Sequence, residues 1–159
     1  MLRLLPAPIH GAIGLGALAL NTLFWSVPLF LVAIVKLLLP IPALRRRLSV
    51  LLTEIAEAWI AVNSRLLAIS QRAPWQVSGL EGLRRDGSYL ICCNHNSRVD
   101  IPILLRVFYR RIPFLRFFLK QELIWVPVLG LAWWALDFPF MKRYSAEYLA
   151  KHPEKRGVD

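Results

Sequence analysis

The chain begins with a long apolar stretch that no charged residue interrupts. Between Arg3 and Lys36 every side chain is uncharged when His10 is neutral. Such a run exceeds the roughly 20 residues that a membrane-spanning helix needs. It is too long for the core of a signal peptide and lacks a clean small-x-small cleavage site before Lys36. The pattern therefore predicts a retained membrane segment over residues 8–39.

The form of this segment is left open by Pro28, which either kinks one spanning helix or separates two half-helices that enter one leaflet. The segment ends at Pro40-Ile41-Pro42. Lys36 and Arg45-Arg46-Arg47 flank its C-terminal side, whereas Arg3 stands alone on the other side. The positive-inside rule therefore places the residues that follow in the cytoplasm.

A second long helix is predicted over residues 43–70, because apolar residues recur there at three- and four-residue steps. Arg46, Glu54 and Glu57 fall mostly elsewhere and indicate a polar face. The helix packs on its own domain, lies at the membrane interface, or does both. The apolar positions are Leu48, Leu51, Leu52, Ile55, Trp59, Val62, Leu66 and Ile69.

Shorter elements are predicted in the remainder of the chain. Glycines and a polar turn at 84–87 separate short apolar runs, and a helical pattern lies between them. Strand, helix, strand order is typical of an α/β domain. The predicted strands are 75–78, 89–93 and 138–141, and the predicted helices are 100–111 and 123–136.

The pattern thus predicts an α/β fold behind a hydrophobic N-terminal helix or helical hairpin. Residues 1–42 form the membrane anchor, 43–72 an amphipathic interfacial helix, and 73–159 the N-terminal part of the α/β domain. A chain of 159 residues agrees with one such domain and an appended anchor.

The amino-acid composition indicates which classes of binding partner to expect. The chain is 57% hydrophobic and carries a formal net charge of +10, so anionic lipid headgroups are expected beside the membrane segment. Nucleic acid is not expected, because the basic residues are interleaved with Leu, Phe and Trp. Cys92 and Cys93 are predicted to be reduced core residues. The scattered His10, His95 and His152 predict no metal site.

The apolar run 89–93 is followed directly by Asn-His-Asn-Ser-Arg-Val-Asp. If the run is a strand, its end delivers Asn94, His95, Ser97 and Asp100 into a turn that opens a helix. A neutral imidazole suits general-base work, and a nearby carboxylate can hold its tautomer. The pair predicts acyl transfer to a hydroxyl that the substrate brings. An ordinary turn and helix cap is the alternative explanation of the segment.

The spacing Asn-His-x-Ser-x-x-Asp resembles the first signature block of the glycerolipid acyltransferases, the family of lysophosphatidic acid acyltransferase. Upstream, residues 77–83 resemble the strand and turn that precede this block in the family. Downstream, Lys120-Gln121-Glu122-Leu123 with Pro127 and Gly130 is similar to the family's Lys-x-Glu-Leu-x-x-x-Pro-x-x-Gly stretch. The hydrophobic N-terminus is similar to that of a bacterial inner-membrane subgroup.

The second family block, usually Gly-x-x-Phe-Ile-Asp-Arg, resembles Phe140-Met141-Lys142-Arg143. Two positions depart from it, because Asp137 stands where glycine is usual and Lys142 where aspartate is common. The third block, Phe-Pro-Glu-Gly-x-Arg, is not found in the sequence. The resemblance therefore implies that the chain is part of a longer enzyme, and we expect the chain alone to be weakly active or inactive.

The resemblance implies a membrane-bound enzyme that transfers a fatty acyl group from an acyl thioester to the hydroxyl of a lysophospholipid. The first candidate reaction converts 1-acylglycerol 3-phosphate to phosphatidic acid. His95 is the implied base, and Asp100 is its orienting partner. A guanidinium and an ammonium both suit the acceptor phosphate. The residues assigned to substrate binding are Asn94, Ser97, Lys120 and Arg143.

No cofactor or metal is implied, since acyl-CoA or acyl-carrier protein is the donor substrate. The implied location is the bacterial inner membrane, with the catalytic part on the cytoplasmic side. Two alternatives stay open. The chain is a non-catalytic membrane-surface protein, or it is an acyltransferase for another lipid acceptor.

Overall fold

The computed structural model describes residues 6–70, 76–94, 96, 97, 99–142, 144, 146–155 and 157. The chain forms two compact units, Met1–Leu115 and Arg116–Asp159. The described part of the first unit contains three helices: α1 (Ala7–Leu38), α2 (Pro42–Ser70) and α3 (Asp100–Val107). The second contains β1 (Leu119–Lys120), a 3-10 helix (Gln121–Trp125), α4 (Leu129–Ala135), β2 (Phe140–Met141), α5 (Ala146–Lys151) and a 3-10 helix (Pro153–Lys155).

Helix α1 is one continuous helix that runs through Pro28, so the chain does not form two half-helices separated there. Its stretch Pro8–Leu38 is long and apolar enough to cross a membrane, by length and composition alone. Only 11% of its most apolar window is buried in the protein. Large apolar side chains therefore cover the outside of α1, including Leu15, Leu20 and Phe24.

Helices α1 and α2 pack as an antiparallel hairpin. Only Leu39, Pro40 and Ile41 separate them, and the predicted apolar spacing of α2 turns Leu52 toward α1. The side chain of Leu52 is 1% exposed, which makes it the most deeply buried large side chain of the described residues. The buried apolar residues of the hairpin are Leu29, Ala33, Leu52, Ile55, Ala56 and Ile60.

A polar cluster joins the two helices within this apolar hairpin. The Asn21 side-chain amide donates to Asn63 Oδ1 at 2.8 Å and to the Trp59 carbonyl oxygen at 3.3 Å. Trp59 Nε1 in turn donates to Thr22 Oγ1 at 3.1 Å. Buried amide and indole groups need such partners, since leaving one unpaired is unfavourable. The four side chains therefore define how the two helices face each other.

The Asn21–Asn63 bond is expected to contribute about 0.5–1.5 kcal/mol to hairpin stability. A double-mutant cycle with Asn21→Leu and Asn63→Leu isolates this coupling, measured as the free energy of unfolding in detergent. Each single variant leaves one amide without its partner, whereas the double variant removes both and is expected to be the milder change. Strictly additive effects would show that the bond contributes nothing.

Helix α3 is shorter than the predicted 100–111. It ends at Val107, and the N–H of Phe108 closes its last turn on the carbonyl of Leu104 at 3.0 Å. Arg110 then has φ 55°, outside the right-handed helical region, so the chain cannot continue the helix through it.

The expected strands at 75–78 and 89–93 are not formed by the residues described there, and Trp75 lies outside the described residues. Leu90 is 82% exposed, and Cys92 and Cys93 are exposed free thiols rather than core residues. A strand requires a neighbour to pair its backbone groups, and an apolar run does not supply one. Within the described residues, the predicted α/β character is limited to β1 and β2, and helices dominate.

Strands β1 and β2 of the second unit are parallel, with Leu119 opposite Phe140 and Lys120 opposite Met141. Strand β2 lies within the predicted 138–141. The N–H of Leu119 also donates to the Pro139 carbonyl at 2.9 Å.

The predicted helix over 123–136 is interrupted around Pro127. Proline disfavours the helical conformation of the residue before it, and Val126 is extended, with ψ 121°. Val128 has φ 65°. The segment therefore divides into the 3-10 helix Gln121–Trp125 and α4, and Trp125 is 86% exposed.

Candidate active site

Asp100 closes a tight turn at the start of α3. Its Oδ2 atom accepts the backbone N–H groups of Asn96 and Ser97, both at 2.8 Å. The Asp100 N–H donates to the Ser97 carbonyl at 3.1 Å, and Ser97 Oγ accepts the Val99 N–H at 3.3 Å. Asn96, Ser97, Val99 and Asp100 thus bond among themselves, and the Asp100 carboxylate is held in a defined position within the motif.

The other residues assigned to this motif differ in what the structure shows. Asn94 and Ser97 are exposed, as a substrate contact requires. The Ser97 hydroxyl also takes part in the turn, as the alternative explanation expects, but no side chain caps α3, whose N-cap residue is Val99. His95 lies outside the described residues, and its pairing with Asp100 stays a prediction.

Lys120 is the last residue of β1 and is exposed. The carboxyl ends of parallel strands lie at the same edge of a sheet, so Lys142, which follows β2 directly, is at the edge where Lys120 lies. The second unit thus presents two lysines at one sheet edge. Arg143, the other predicted phosphate ligand besides Lys120, lies outside the described residues.

The departure at Asp137 has a conformational explanation. Asp137 has φ 58°, in the left-handed region that glycine adopts without steric cost and aspartate tolerates better than most residues. The glycine that is usual at this position in the resembled family therefore fits the backbone found here.

A cavity of about 330 Å³ lies between α1, α2 and α3 in the first unit. This volume is at the lower end of the range for small-molecule pockets, about 300–1,000 Å³. Leu15 and Leu18 of α1, Trp59 and Leu67 of α2, and Ile101 and Leu105 of α3 are among its mostly apolar lining. Because α3 begins with Asp100, one wall of the cavity belongs to the helix that carries the motif.

An ionic cluster beside the motif escaped prediction from the sequence. Glu57 was assigned to the polar face of α2, yet it is 3% exposed and binds Arg85 and Arg110. The partially exposed Glu54 binds the same two arginines. The partners lie 28 to 56 residues away along the chain. One sign of this cluster is visible in the sequence: the two acids Glu54 and Glu57 are three residues apart in a largely apolar helix.

Comparison with known proteins places the chain among enzymes that transfer acyl groups. Residues 74–156 match the family model described as Acyltransferase, a region that includes every residue predicted for the site. The match covers just over half of the 159 residues, and the chain belongs to the acyltransferase family. No curated protein and no solved structure matches it. The resemblance is confirmed for the family, and the subgroup and the acceptor stay predictions.

Proposed function

We propose that the protein transfers a fatty acyl group from an acyl thioester to the free hydroxyl of a lysophospholipid, with 1-acylglycerol 3-phosphate as the preferred acceptor. The observation that carries the proposal is the Asp100 turn within the matched region 74–156. His95 takes the proton of the acceptor hydroxyl, whose oxygen attacks the thioester carbonyl. The carbon–sulfur bond then breaks, and the leaving thiolate takes the proton that the His95 imidazolium carries, which restores the base.

In this mechanism Asp100 keeps the imidazole of His95 in the tautomer that accepts the hydroxyl proton, and it stabilises the imidazolium that forms. A carboxylate held by two backbone N–H groups suits that task, because it cannot swing away from the motif. The chain's own side chains perform the proton transfer. The donor is acyl-CoA or acyl-carrier protein, and no metal or cofactor is required.

Acceptor binding is proposed to use the cationic groups of the Lys-x-Glu-Leu stretch and of the second family block. Lys120, and Arg143 from the sequence assignment, bind the phosphate, while Asn94 and Ser97 contact the substrate near the reacting hydroxyl. The exposed edge that carries Lys120 and Lys142 supports an anionic acceptor. Lys142 stands where aspartate is common, so the edge is more positive than that of the usual motif.

The cavity in the first unit is proposed to hold an acyl chain. Its lining is mostly apolar, and α3 contributes Ile101 and Leu105 to one wall. An acyl chain between α1, α2 and α3 then extends from the helix whose first residue is Asp100. This placement couples the apolar part of a lipid substrate to the motif through one short helix.

We propose that the α1–α2 hairpin lies in one face of the bacterial inner membrane, with α1 in contact with the acyl region. Helix α2 runs back along α1, and the buried Glu57 lies near the middle of α2, at the level of the middle of α1. A bilayer crossing by α1 would carry Glu57 and its arginines into the hydrocarbon, at about 2.5 kcal/mol or more per charge. An interfacial position avoids this, as for amphipathic helices generally.

The cytoplasmic face is proposed for the catalytic part. Arg45, Arg46 and Arg47 are exposed in the first turns of α2, where they can approach headgroups. Anionic lipids of the cytoplasmic leaflet attract such basic clusters by about 1 kcal/mol per residue.

The proposal is tested by acyl transfer from labelled acyl-CoA or acyl-carrier protein, with the full-length protein in membranes. We expect kcat/KM for 1-acylglycerol 3-phosphate to exceed that for a lysophospholipid with a choline headgroup by about tenfold or more, because a lone phosphate offers more anionic oxygens to lysine and arginine. Ornithine lipid and lipid A precursors serve as further acceptors. Preference for one of these would assign another acceptor within the enzyme class.

The non-catalytic alternative rests on the exposed apolar side of α1 and the exposed arginines of α2, which suffice for membrane binding. It predicts lipid association without acyl transfer to any acceptor. Membrane binding does not separate the two proposals, since both require it, and the transfer assay decides between them.

A further inference from the structure

The segment that carries the motif has little regular structure of its own. Residues 88–94 form neither helix nor strand, and Leu90, Cys92 and Cys93 are exposed. Among the described residues that follow, defined local structure begins with the hydrogen-bonded turn that ends in Asp100 and continues through the eight residues of α3. Segments with few buried contacts open locally with little free energy. A site on such a segment needs anchors outside it.

Two arginines bracket this segment. Arg85 precedes it in the turn before Tyr89, and Arg110 follows α3. Both point to the same carboxylate on α2. Arg85 Nη2 lies 3.0 and 3.1 Å from the two oxygens of Glu57, and Arg110 Nε lies 2.9 Å from Glu57 Oε2. Glu57 therefore joins the chain before the motif to the chain after it.

Burial makes Glu57 the central member of this cluster. Its side chain is 4% exposed, whereas Arg85 and Arg110 are each 48% exposed. A carboxylate removed from water depends on its partners, and loss of one leaves its charge poorly compensated. The hydrogen bond that Arg110 donates to Glu57 raises the pKa of the Arg110 guanidinium, with smaller contributions from Tyr109 and Glu54. The charged form of Arg110 is thus favoured.

We infer that Glu57 is a positioning residue for acyl transfer, which holds both ends of the segment bearing Asn94 to Asp100 against α2 through Arg85 and Arg110. The inference rests on the proposed function for its catalytic readout. Glu57 need not touch substrate. It fixes where α3, and therefore Asp100, lies relative to α2 and the cavity that the two helices share.

The first test is Glu57→Gln in the full-length protein. The variant keeps the shape of the side chain but removes the charge and turns an NH₂ group toward the arginines. We expect kcat to fall between about tenfold and a hundredfold, because small misplacement of a catalytic group has effects of that size. KM is expected to change by less than about threefold, since no substrate contact is lost.

Hydrogen exchange supplies a readout that needs no substrate. In Glu57→Gln, peptides within residues 86–109 are expected to exchange about tenfold faster, while those of α1 keep their rates. Arg84→Gln is the matched control, because the Arg84 side chain pairs only with the exposed Asp86 among the contacts the structure describes, at 2.7 Å. It is expected to leave kcat and exchange within about twofold of the parent.

Single-arginine variants keep the inference falsifiable if Glu57→Gln unfolds the protein. Arg85→Gln is expected to speed exchange mainly in 86–94, and Arg110→Gln mainly in α3, because each releases one end of the segment. Glu57→Asp retains the charge and is expected to recover part of kcat. Unchanged kcat and exchange in Glu57→Gln, or equal loss of protection in all helices with either arginine variant, would overturn the positioning role.

Failure of the proposed function gives a different result. If the parent protein transfers no acyl group to any lysophospholipid, the proposed function is wrong, and the exchange pattern still decides whether Glu57 anchors the segment. If the parent is active and the exchange pattern is unaltered in Glu57→Gln, the proposed function stands and the anchoring inference is wrong.

Discussion

Replacement of His95 by alanine is expected to lower kcat for acyl transfer by about a hundredfold or more. A positioned general base contributes about 10²–10⁴ in rate, and alanine leaves the acceptor hydroxyl without a base next to the Asp100 turn. Labelled acyl transfer by the full-length protein in membranes measures the effect. Membrane association is expected to persist, because the apolar α1 does not depend on His95.

His152→Ala is the control for this experiment. His152 is 46% exposed and lies 3.3 Å from Glu154, so its imidazole is comparable in chemistry but sits in the C-terminal segment. We expect the activity of this variant to stay within about twofold of the parent. Full activity of His95→Ala would remove His95 from the mechanism, and equal losses in both variants would indicate a general effect of histidine replacement.

The second large effect is expected from Gly130→Ala, which should destabilise the second unit by about 1–3 kcal/mol or more. A Cβ atom at this position would overlap the carbonyl oxygen of Ile124 and lie 2.9 Å from that of Leu123. Both atoms belong to the backbone of the 3-10 helix before α4, so no side-chain rotation relieves the contact. Hydrogen exchange of peptides within 116–142 measures the loss, and activity is expected to fall with it.

Gly16→Ala is the matched control. A Cβ atom at Gly16, inside α1, meets no atom within 4 Å. Alanine has the higher helix propensity, so this variant is expected to be neutral or more stable by up to about 1 kcal/mol. Normal protection of 116–142 in Gly130→Ala would show that α4 can move away from the 3-10 helix without loss. Loss of protection there would instead explain why the resembled family has glycine three residues after the proline.

The two long helices were predictable because their signals are local. The uncharged run before Lys36 and the three- and four-residue steps of 43–70 each require only neighbours in sequence. Strand prediction at 89–93 failed because a strand depends on a partner that the run itself does not specify. The helix is shorter than the predicted 123–136, because Pro127 disfavours the helical conformation of Val126 and the apolar pattern does not reflect this effect.

The catalytic motif could be predicted from the sequence, whereas the ionic cluster of Glu57, Arg85 and Arg110 could not. The spacing of His95 and Asp100 is visible in the sequence, and Asp100 does lie at a turn that opens a helix, as expected. The burial of Glu57 is not visible, because it depends on Arg85 and Arg110, which approach α2 only in the folded chain. A local pattern thus indicates the chemistry, while long-range contacts determine its placement.

Because the polar cluster joins α1 to α2 on one side, the two sides of α1 are expected to differ in how many substitutions they tolerate. Asn21 and Thr22 are adjacent, and their bonds to α2 prevent α1 from rotating about its own axis. Leu20 and Phe24 therefore always face away from α2, at 69% and 68% exposure. On that outer side, many exchanges of one apolar residue for another are expected to be tolerated. At Asn21 and Thr22 fewer exchanges are expected to be tolerated, because an apolar replacement there alone leaves a partner on α2 without its hydrogen bond.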